Sequence, residues 1–353
     1  MKGLTFRLMV LAATVLAGTA GAAENTTNPP PRLEIGLVDG SRVIGVPGIE
    51  SVPVQTSYAK MDIPLKQIRS IKIESDHENV ALALTNGDRL KGVLSLKPIE
   101  METLFGMVRI DLTLVADISV YPGGKGSLPA ALLDGLVLYY SFDKDEGGKV
   151  TDAGRKGNDG TVKGATWTPE GKVGGAYSLD GVGNYISRSS QTWGITNEWT
   201  FSAWVKPGHI NLAINDERGI VSLRSEDDKN TIQLMHAQGG WERGAGTQFF
   251  SLRIRGSGGY VKLMQGTTQP QVGTWYHVAG TWDGTNARLY VNGVEDTPYW
   301  MFADASGSQT DTSRQLLMGS GCAKLFNGSI DEVRIYNRAL SKDDVKMLYD
   351  AQK

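Results

Sequence analysis

The sequence predicts an all-β protein, in which a two-sheet sandwich or jelly roll follows a small duplicated β-domain. Three observations lead to this fold class. The 353 residues include 44 glycines and show almost no helical periodicity, which is typical of short strands joined by turns. Residues 32–121 contain an internal repeat. Residues 132–353 contain at least ten short apolar runs separated by turn signals, enough strands for a sandwich or jelly roll.

The first 23 residues predict a secretory signal peptide. Lys2 and Arg7 precede a short apolar run from Leu8 to Leu16, and small residues follow this run up to Ala23. A charged start, a short apolar centre and a small-residue cleavage site are typical of such signals, and the run is too short to anchor the chain in a bilayer. We therefore expect an exported protein without a membrane span, located in the periplasm, on the cell surface or outside the cell. Residues 24–31, ENTTNPPP, predict an extended Pro-rich lead-in.

Charge and cysteine content narrow the classes of partner. The chain has 36 Lys and Arg against 38 Asp and Glu, a formal net charge of −2, and removal of the signal makes it more negative. This balance gives no electrostatic reason to expect a nucleic acid as a partner. The one cysteine, Cys322, cannot form an intrachain disulfide, so the stability of the chain must come from its apolar cores.

The internal repeat has a period of 47 residues. LVDGSRVIGV (37–46) aligns without gaps with LTNGDRLKGV (84–93), so that Gly40 and Gly45 match Gly87 and Gly92. Each copy opens on a D/N-G turn and continues with about four short β-branched runs. We predict two 47-residue units with a shared core over residues 32–121. The Gly/Pro/Ser-rich residues 122–131 predict a linker to residues 132–353.

The stretch WYHVAGTWDGTNARLYVNG (275–293) predicts a hairpin. Residues 275–282 and 287–291 have the composition of strands, and Asp-Gly-Thr-Asn between them is typical of a turn. Strand alternation places Trp275 and Trp282 on opposite faces, so the two rings cannot form one flat platform for a sugar. We therefore interpret these aromatics as core residues.

Four separated stretches resemble the LamG-like (laminin G/concanavalin A-like) jelly-roll family, in the order that the family shows. They are the hairpin above and GKVGGAYSLDGVGNYI (171–186), WTFSAWVKP (199–207) and FNGSIDEVRIYNRALSKDDVKMLYD (326–350). The resemblance covers about residues 134–351 and implies a concanavalin A-like jelly roll that binds glycans or proteins. The last stretch also predicts a short C-terminal helix with a capping box at Ser341.

A glycan site needs aromatic and hydrogen-bonding side chains on loops or an open sheet face. Tryptophans in Gly- and Ala-rich loop contexts are the first candidates, with neighbouring arginines as donors to hydroxyl or acidic groups. The candidate ligand-binding residues are Trp241, Trp300, Tyr299, Arg243, Arg253 and Arg255. The alternative is that the loop aromatics fold down as lids on the core.

Calcium is the one cofactor that the resemblance raises, since some relatives bind Ca²⁺ through acidic loops. The matching candidates are Asp227, Asp228 and Asn230, whose oxygens suit this ion. Residues 319–329 contain no acid where those relatives place their second ligand group, so we expect no required cofactor. A solvated polar hairpin is the alternative, and Asp143 or Asp331 could form a different Ca²⁺ site. Asp331 could equally cap backbone amides.

Catalysis has little support in the sequence. Glucanases related to this jelly roll carry E-x-D-x-E on one strand, which places an acid and a nucleophile on the same face. The one match, Glu74-x-Asp76-x-Glu78, lies between the two repeats, where a charged turn is expected. We predict no catalytic residues and an exported, non-enzymatic protein that recognises a polysaccharide or a cell-surface glycoprotein. A structural or adhesive protein making protein contacts is the alternative, and a divergent jelly-roll glycoside hydrolase is the third interpretation.

Overall fold

A computed structural model provides the fold of most of the chain. It describes residues 30–74, 76, 78–95, 98–103, 105–121, 132–154, 156–209, 213, 216–227, 230–239, 247–256, 261–296, 299–302, 312–321 and 324–353. The predicted signal peptide, most of the Pro-rich lead-in and the whole of the predicted linker lie outside these residues and stay predictions.

The first ten strands form one antiparallel sheet, the N-terminal sheet. They are β1 (Arg32–Leu37), β2 (Arg42–Pro47), β3 (Ser51–Gln55), β4 (Lys60–Pro64), β5 (Ile68–Ile73), β6 (Asn79–Leu84), β7 (Arg89–Leu94), β8 (Ile99–Thr103), β9 (Gly106–Ile110) and β10 (Val115–Tyr121). Single 3-10 turns at Leu65–Gln67 and Leu112–Leu114 precede β5 and β10. Each 47-residue stretch therefore holds five strands. The sequence predicts about four, and the additional strand in each unit is the one before the D/N-G turn.

The strand bounds follow the 47-residue offset. Adding 47 to the bounds of β1 and β2 gives those of β6 and β7. The sheet order is β4-β3-β7-β6-β5-β10-β1-β2-β8-β9. If each strand is replaced by the corresponding strand of the other 47-residue unit, the result is the same order read backwards. The two halves of the sheet are thus related by an approximate twofold axis between β5 and β10.

The two halves exchange their second hairpins. The β3–β4 hairpin of the first half pairs with β7 of the second, through Val54 opposite Leu94. The β8–β9 hairpin pairs with β2 in the same way, through Met101 opposite Pro47. Alternating apolar residues from both halves, such as Ile35 and Leu82, form one continuous core. Neither half completes its sheet alone, so the expected shared core is one intertwined sheet.

The remaining strands form a sandwich of two sheets. They are β11 (Leu136–Tyr140), β12 (Lys149–Val150), β13 (Gly160–Lys163), β14 (Thr166–Thr168), β15 (Ala176–Asp180), β16 (Tyr185–Gln191), β17 (Trp199–Pro207), β18 (Glu217–Ser225), β19 (Thr231–Gln238), β20 (Gln248–Arg255), β21 (Val261–Gln265), β22 (Tyr276–Trp282), β23 (Ala287–Val291), β24 (Val294–Glu295), β25 (Tyr299–Phe302), β26 (Arg314–Met318), β27 (Lys324–Leu325) and β28 (Asn327–Tyr336). Sheet I has the order β14-β15-β28-β17-β22-β23-β24, with β11 also paired to β28. Sheet II has the order β12-β13-β16-β26-β18-β19-β20-β21-β25, with β27 also paired to β18. The all-β jelly-roll prediction is confirmed.

The core of the sandwich lies between the two sheets. Sheet I contributes side chains such as Phe201 and Val278, and sheet II contributes side chains such as Leu234 and Leu252. The sheets approach closely at Gly280, where an added Cβ would lie 2.8 Å from a methyl carbon of Leu252. Every residue of β22 is buried, which agrees with the interpretation of the central hairpin as structural. Trp275 is the exception to the core assignment, since it lies just before β22 and is half-buried.

One helix, α1 (Lys342–Asp350), covers the outer face of sheet I. It begins with the predicted capping box, since the Ser341 hydroxyl accepts from the Asp344 amide and the Asp344 carboxylate accepts from the Ser341 amide, each at 3.1 Å. Val345 and Leu348 pack there in a second apolar cluster. No helix in the described part of the chain is long and apolar enough to cross a membrane.

The N-terminal sheet contacts the sandwich beside this helix. Ile44 on β2 and Tyr121 on β10 pack against the apolar cluster under α1. The Tyr121 hydroxyl donates to Glu34 at 2.6 Å, and Lys156 of the sandwich lies 3.9 Å from the same carboxylate. The two parts of the molecule therefore share an apolar and ionic contact.

Candidate functional site

The outer face of sheet II carries two rows of polar residues across β18, β19 and β20, which we call the outer polar face. In one row Thr231 lies opposite both Arg224 and Arg255. In the next row Gln233 lies opposite both Ser222 and Arg253. The register thus brings together two predicted residues, Arg253 and Arg255, with four that the sequence analysis did not select.

Strand alternation explains why these side chains face away from the core. Their neighbours Leu223, Ile232 and Ile254 belong to the core between the sheets, so the polar residues in between face outward. Ser222 and Gln233 are nevertheless buried, whereas Arg253 and Arg255 are partly exposed. The polar face is therefore partly covered at its centre and accessible at the arginines.

Two sets of ion pairs order the charges at one end of this face. Arg253 pairs with the Glu217 carboxylate. The buried Asp216 pairs with Arg218 at 3.4 Å and with Lys324. Burial opposes ionisation of Asp216, but the hydrogen bonds from Lys324 and the Ala213 amide prevail and hold its pKa below the usual value. The Asp216 carboxylate thus stays charged beside the polar rows.

Two of the calcium candidates, Asp227 and Asn230, lie between the end of β18 and the start of β19. The Ser225 hydroxyl donates to the Asp227 carboxylate at 2.7 Å and accepts from the Asn230 amide at 2.9 Å. The buried Asn230 side-chain oxygen has no hydrogen-bond partner among the described residues. Asp228 lies outside the described residues. Among the described side chains, no three His, Cys, Asp or Glu residues group closely enough to hold a metal ion.

The aromatic candidates are placed differently from the expectation. Trp241 and Arg243 lie outside the described residues and stay predictions. Tyr299 and Trp300 belong to strand β25 at the edge of sheet II, so their assignment to a loop is wrong. The aromatic run itself favours a strand, and pairing with β21 overrides the Gly- and Asp-rich flanks. In this register Trp300 lies opposite Met264, a core residue, and Tyr299 lies opposite Gln265.

Asp331 caps backbone amides. It is fully buried, and its carboxylate accepts from the amides of Lys172 at 2.8 Å, Val173 at 3.0 Å and Glu332 at 2.7 Å. Burial, and then the charge of Glu332, raise its pKa to about 8. The cap joins β28 to the residues before β15, which is the structural role predicted as the alternative to calcium.

A buried ion pair next to Asp331 was missed by sequence reasoning. The Glu332 carboxylate accepts from Arg334 at 2.5 Å, from the Tyr139 hydroxyl at 2.9 Å and from Gln352. Both charged side chains are completely buried. Glu332 and Arg334 are two residues apart on β28, a spacing that places side chains on one face of a strand. The sequence does not show that Gln352 and Tyr139 cover this pair and bury it.

The predicted charged turn at Glu74-x-Asp76-x-Glu78 is exposed. The Asp76 carboxylate accepts from the amides of Glu78 at 3.0 Å and Asn79 at 2.9 Å. These hydrogen bonds, led by that of the Asn79 side chain, lower the pKa of Asp76. Asp76 thus orders the connection between β5 and β6.

Comparison with known families agrees with the resemblance noted in the sequence. Residues 180–346 match the family model of the concanavalin A-like lectin/glucanases superfamily. The LamG-like resemblance is therefore confirmed for this segment. No curated protein sequence matches the chain.

Solved structures with similar architecture include a carbohydrate-bound domain and toxin domains. Domain 4 of AbnA, a GH43 extracellular arabinanase from Geobacillus stearothermophilus, in complex with arabinotriose, is 24% identical, with a TM-score of 0.46 over 62% of this chain and 98% of that one. The binding domain of Paraclostridial Mosquitocidal Protein 1 is 18% identical, with a TM-score of 0.48 over 62% of this chain and 53% of that one. The botulinum neurotoxin serotype G binding domain is 16% identical, with a TM-score of 0.47 over 62% and 51%. This chain thus spans about half of either toxin structure.

Proposed function

We propose, from the match of residues 180–346 to the concanavalin A-like lectin/glucanases superfamily, that this chain is an exported, non-enzymatic binding protein. Its sandwich recognises a polysaccharide or a cell-surface glycoprotein. The observation that carries this proposal is the outer polar face of sheet II, where Arg253 and Arg255 stand partly exposed beside buried polar residues. Fold alone does not determine a function, so the proposal depends on the residues of this face.

The outer polar face has the chemistry that a saccharide requires. Guanidinium groups present several N–H donors in a planar fork, which suits hydroxyl oxygens and the carboxylates of acidic sugars. The ion pair with Glu217 holds Arg253 in place, so less rotamer entropy is lost when a ligand binds. The β-strands beneath provide a rigid support for both arginines.

The non-enzymatic part of the proposal comes from the sequence of the sandwich. Glucanases related to this fold place two catalytic carboxylates on one strand as E-x-D-x-E, and residues 132–353 contain no such motif. We propose binding without hydrolysis.

The test is a broad glycan array with the purified mature protein, with and without added Ca²⁺. If a glycan binds, Arg255→Ala and Arg253→Ala should each weaken binding by about tenfold, the effect of about 1.4 kcal/mol of lost charge-assisted hydrogen bonding. The matched control is Arg288→Ala, which removes a surface arginine paired with Asp283 on sheet I and should leave binding unchanged.

A blank array in both conditions would contradict the proposal. Protein contacts would then be the leading alternative. The first residues to examine are Tyr58 and Phe105, exposed aromatics at the tips of the two exchanged hairpins, which form opposite edges of the N-terminal sheet.

A further inference from the structure

The two outermost strands of the N-terminal sheet, β4 and β9, are open edges. Among the described strands each is paired on one side only, β4 with β3 and β9 with β8. An open edge presents amide and carbonyl groups that can pair with a strand of another chain, so soluble proteins usually protect such edges. Because the two edges are related by the 47-residue offset, they can be compared position by position.

The β4 edge is protected. Its exposed side chains include Lys60 and Asp62, and it ends at Pro64, which has no amide hydrogen to donate. Charges and proline on an edge strand oppose pairing with another chain. Asp62 and Pro64 also line a cleft together with Pro30 and Pro31, so the start of the described chain approaches this end of β4. The β4 edge is therefore a poor template for a further strand.

The β9 edge lacks most of this protection. Met107 occupies the position that matches Lys60, 47 residues earlier, and it is 67% exposed. Asp111 occupies the position that matches Pro64, so an amide donor is present where β4 has none. Arg109 is the one charged side chain within the strand. The β9 edge is therefore open to a partner strand.

Exposed apolar side chains lie at both ends of β9. Phe105, directly before the strand, is 95% exposed, and Leu114, in the 3-10 turn after it, is 51% exposed. The Leu114 carbonyl accepts from the amide of Val38 at 2.9 Å, and Val38 is exposed as well. The residues that match Leu114 and Val38 in the other half are the polar Gln67 and Thr85. Exposed apolar groups on one of two matched halves favour an interaction surface there.

The hydrogen bonds of β8 show which backbone groups of β9 face outward. The Gly48 amide, next to β2, donates to the Glu100 carbonyl at 2.9 Å, so the backbone groups of Glu100 face away from β9. Opposed residues of an antiparallel pair alternate between hydrogen-bonded and non-hydrogen-bonded pairs. Val108 therefore bonds to β8, whereas the amides and carbonyls of Met107 and Arg109 face the open edge.

These outward groups match those of a second copy of the same strand. In an antiparallel pairing centred on Val108, Met107 of one copy lies opposite Arg109 of the other, and the donors of each strand meet the acceptors of the other. The two Val108 side chains meet on the core face, and the alkyl part of Arg109 covers Met107 on the outer face. Phe105 of one copy comes to the end of the other strand where Leu114 lies. The pairing opposes no like charges within β9.

We propose that this chain forms a twofold dimer through antiparallel pairing of β9 with β9 of a second copy, so that two N-terminal sheets continue into one. This pairing closes on itself, whereas pairing of β9 with the β4 edge of another copy would continue without limit. The missing donor of Pro64 disfavours the second arrangement. The dimer does not involve the outer polar face and goes beyond the proposed function. It gives the N-terminal sheet the role of joining two sandwiches.

Sedimentation velocity on the full chain tests the dimer. Between about 5 and 300 μM we expect a shift from one chain to two, with a dissociation constant of about 10 μM, as for a small interface. Met107→Lys gives β9 the residue of the protected edge and places it opposite Arg109 of the other copy, a like-charge contact that occurs twice. It should weaken dimerisation by about tenfold or more. The control is Met347→Lys, at an exposed methionine of α1, which should dimerise as the wild type does.

A crosslink tests the register of the pairing. The chain has one cysteine, Cys322, so each variant also carries Cys322→Ser. Val108→Cys should form a covalent dimer on mild oxidation, because the Cα atoms of a non-hydrogen-bonded pair are about 4.5 Å apart, within reach of a disulfide. Val182→Cys, in the turn between β15 and β16, is the control at a more exposed valine and should stay uncrosslinked.

The proposal is overturned if the wild type stays a monomer at the highest concentration, or if Met107→Lys dimerises as tightly as the wild type. Open-ended assemblies would also overturn it, since they would mean that β9 pairs with β4. Equal crosslinking of Val108→Cys and Val182→Cys would contradict the register. Glycan binding by monomeric Met107→Lys is measured separately, so either proposal can fail without the other.

Discussion

Single buried residues set the response of this protein to acid. His277 is buried, with its ring 5.5 Å from that of Trp204 and 6.2 Å from that of Tyr349, and neither ring nitrogen has a hydrogen-bond partner among the described residues. Burial, and then the charge of Arg334, lower its pKa to about 3. The folded protein therefore keeps this imidazole neutral. Asp331 has the opposite effect on stability at low pH. Its pKa is raised to about 8, so the folded protein binds a proton at this carboxyl more readily than the unfolded chain does.

Replacement of His277 should flatten the acid side of the stability profile. Between pH 6.5 and about 3 the unfolded chain binds a proton at His277 and the folded chain does not, so the wild type loses stability as the pH falls. At pH 4.5 this loss amounts to about 2–3 kcal/mol, a loss that His277→Phe avoids. Urea unfolding at pH 7.5 and pH 4.5 measures it.

A variant without a titrating group provides the control for this prediction. Val278→Ala, in the same strand, should lower the free energy of unfolding equally at both pH values. If the difference between His277→Phe and the wild type is the same at both pH values, the histidine is protonated in the folded protein and the prediction is wrong.

At the scale of strands, the exchanged hairpins of the N-terminal sheet depend on two glycines. An added Cβ at Gly45 would lie 2.5 Å from the Glu102 carbonyl oxygen, and one at Gly92 would lie 2.5 Å from that of Gln55. Both oxygens belong to the backbone of the strand that pairs across the junction between the two halves. This backbone cannot move away without breaking the β2–β8 or β3–β7 pairing. Close approach, and not a left-handed φ, is thus the reason for glycine at these positions.

Gly45→Ala and Gly92→Ala should each lower the free energy of unfolding by about 1–3 kcal/mol, the usual cost of overpacking. Gly48→Ala is the matched control, since its Cβ would lie 3.5 Å from the nearest atom and should cost under about 1 kcal/mol. Urea denaturation compares the three variants. Equal effects at all three positions would argue against the exchanged pairing.

At the scale of the whole molecule, sequence differences between the two halves decide which side of the N-terminal sheet meets the sandwich. Ile44 and Tyr121 pack against the cluster under α1. The residues offset by 47 are Lys91 and Glu74, which are exposed. An approximately symmetric sheet therefore presents one apolar side and one charged side, and only the apolar side is suited to burial.

Ile44→Asp should uncouple the two parts of the molecule, because it places a charge in their apolar contact. We expect the wild type to melt in one calorimetric transition and this variant in two. Lys91→Asp puts the same residue at the offset position and should leave one transition. A single transition in Ile44→Asp would mean that the contact does not couple unfolding.

Local patterns in the sequence were sufficient for the all-β class of the sandwich and for parts of its detail. The alternation in 275–291 predicts the buried hairpin β22–β23, and Ser341 with Asp344 predicts the start of α1. Both depend on residues a few positions apart, whose turn and capping chemistry acts within the segment itself. The 47-residue offset likewise follows from the sequence alone.

Tertiary structure alone decided what pairs across long separations in the chain. Nothing local in β3 or β8 selects the opposite half as its partner, and nothing around Tyr299 outweighs its loop-like flanks until β21 is beside it. The ion pair of Arg253 with Glu217 arises in the same way. Hydrophobic periodicity specifies which face of a strand is buried, but strand order, register and cavities depend on packing between distant segments, which no local pattern encodes.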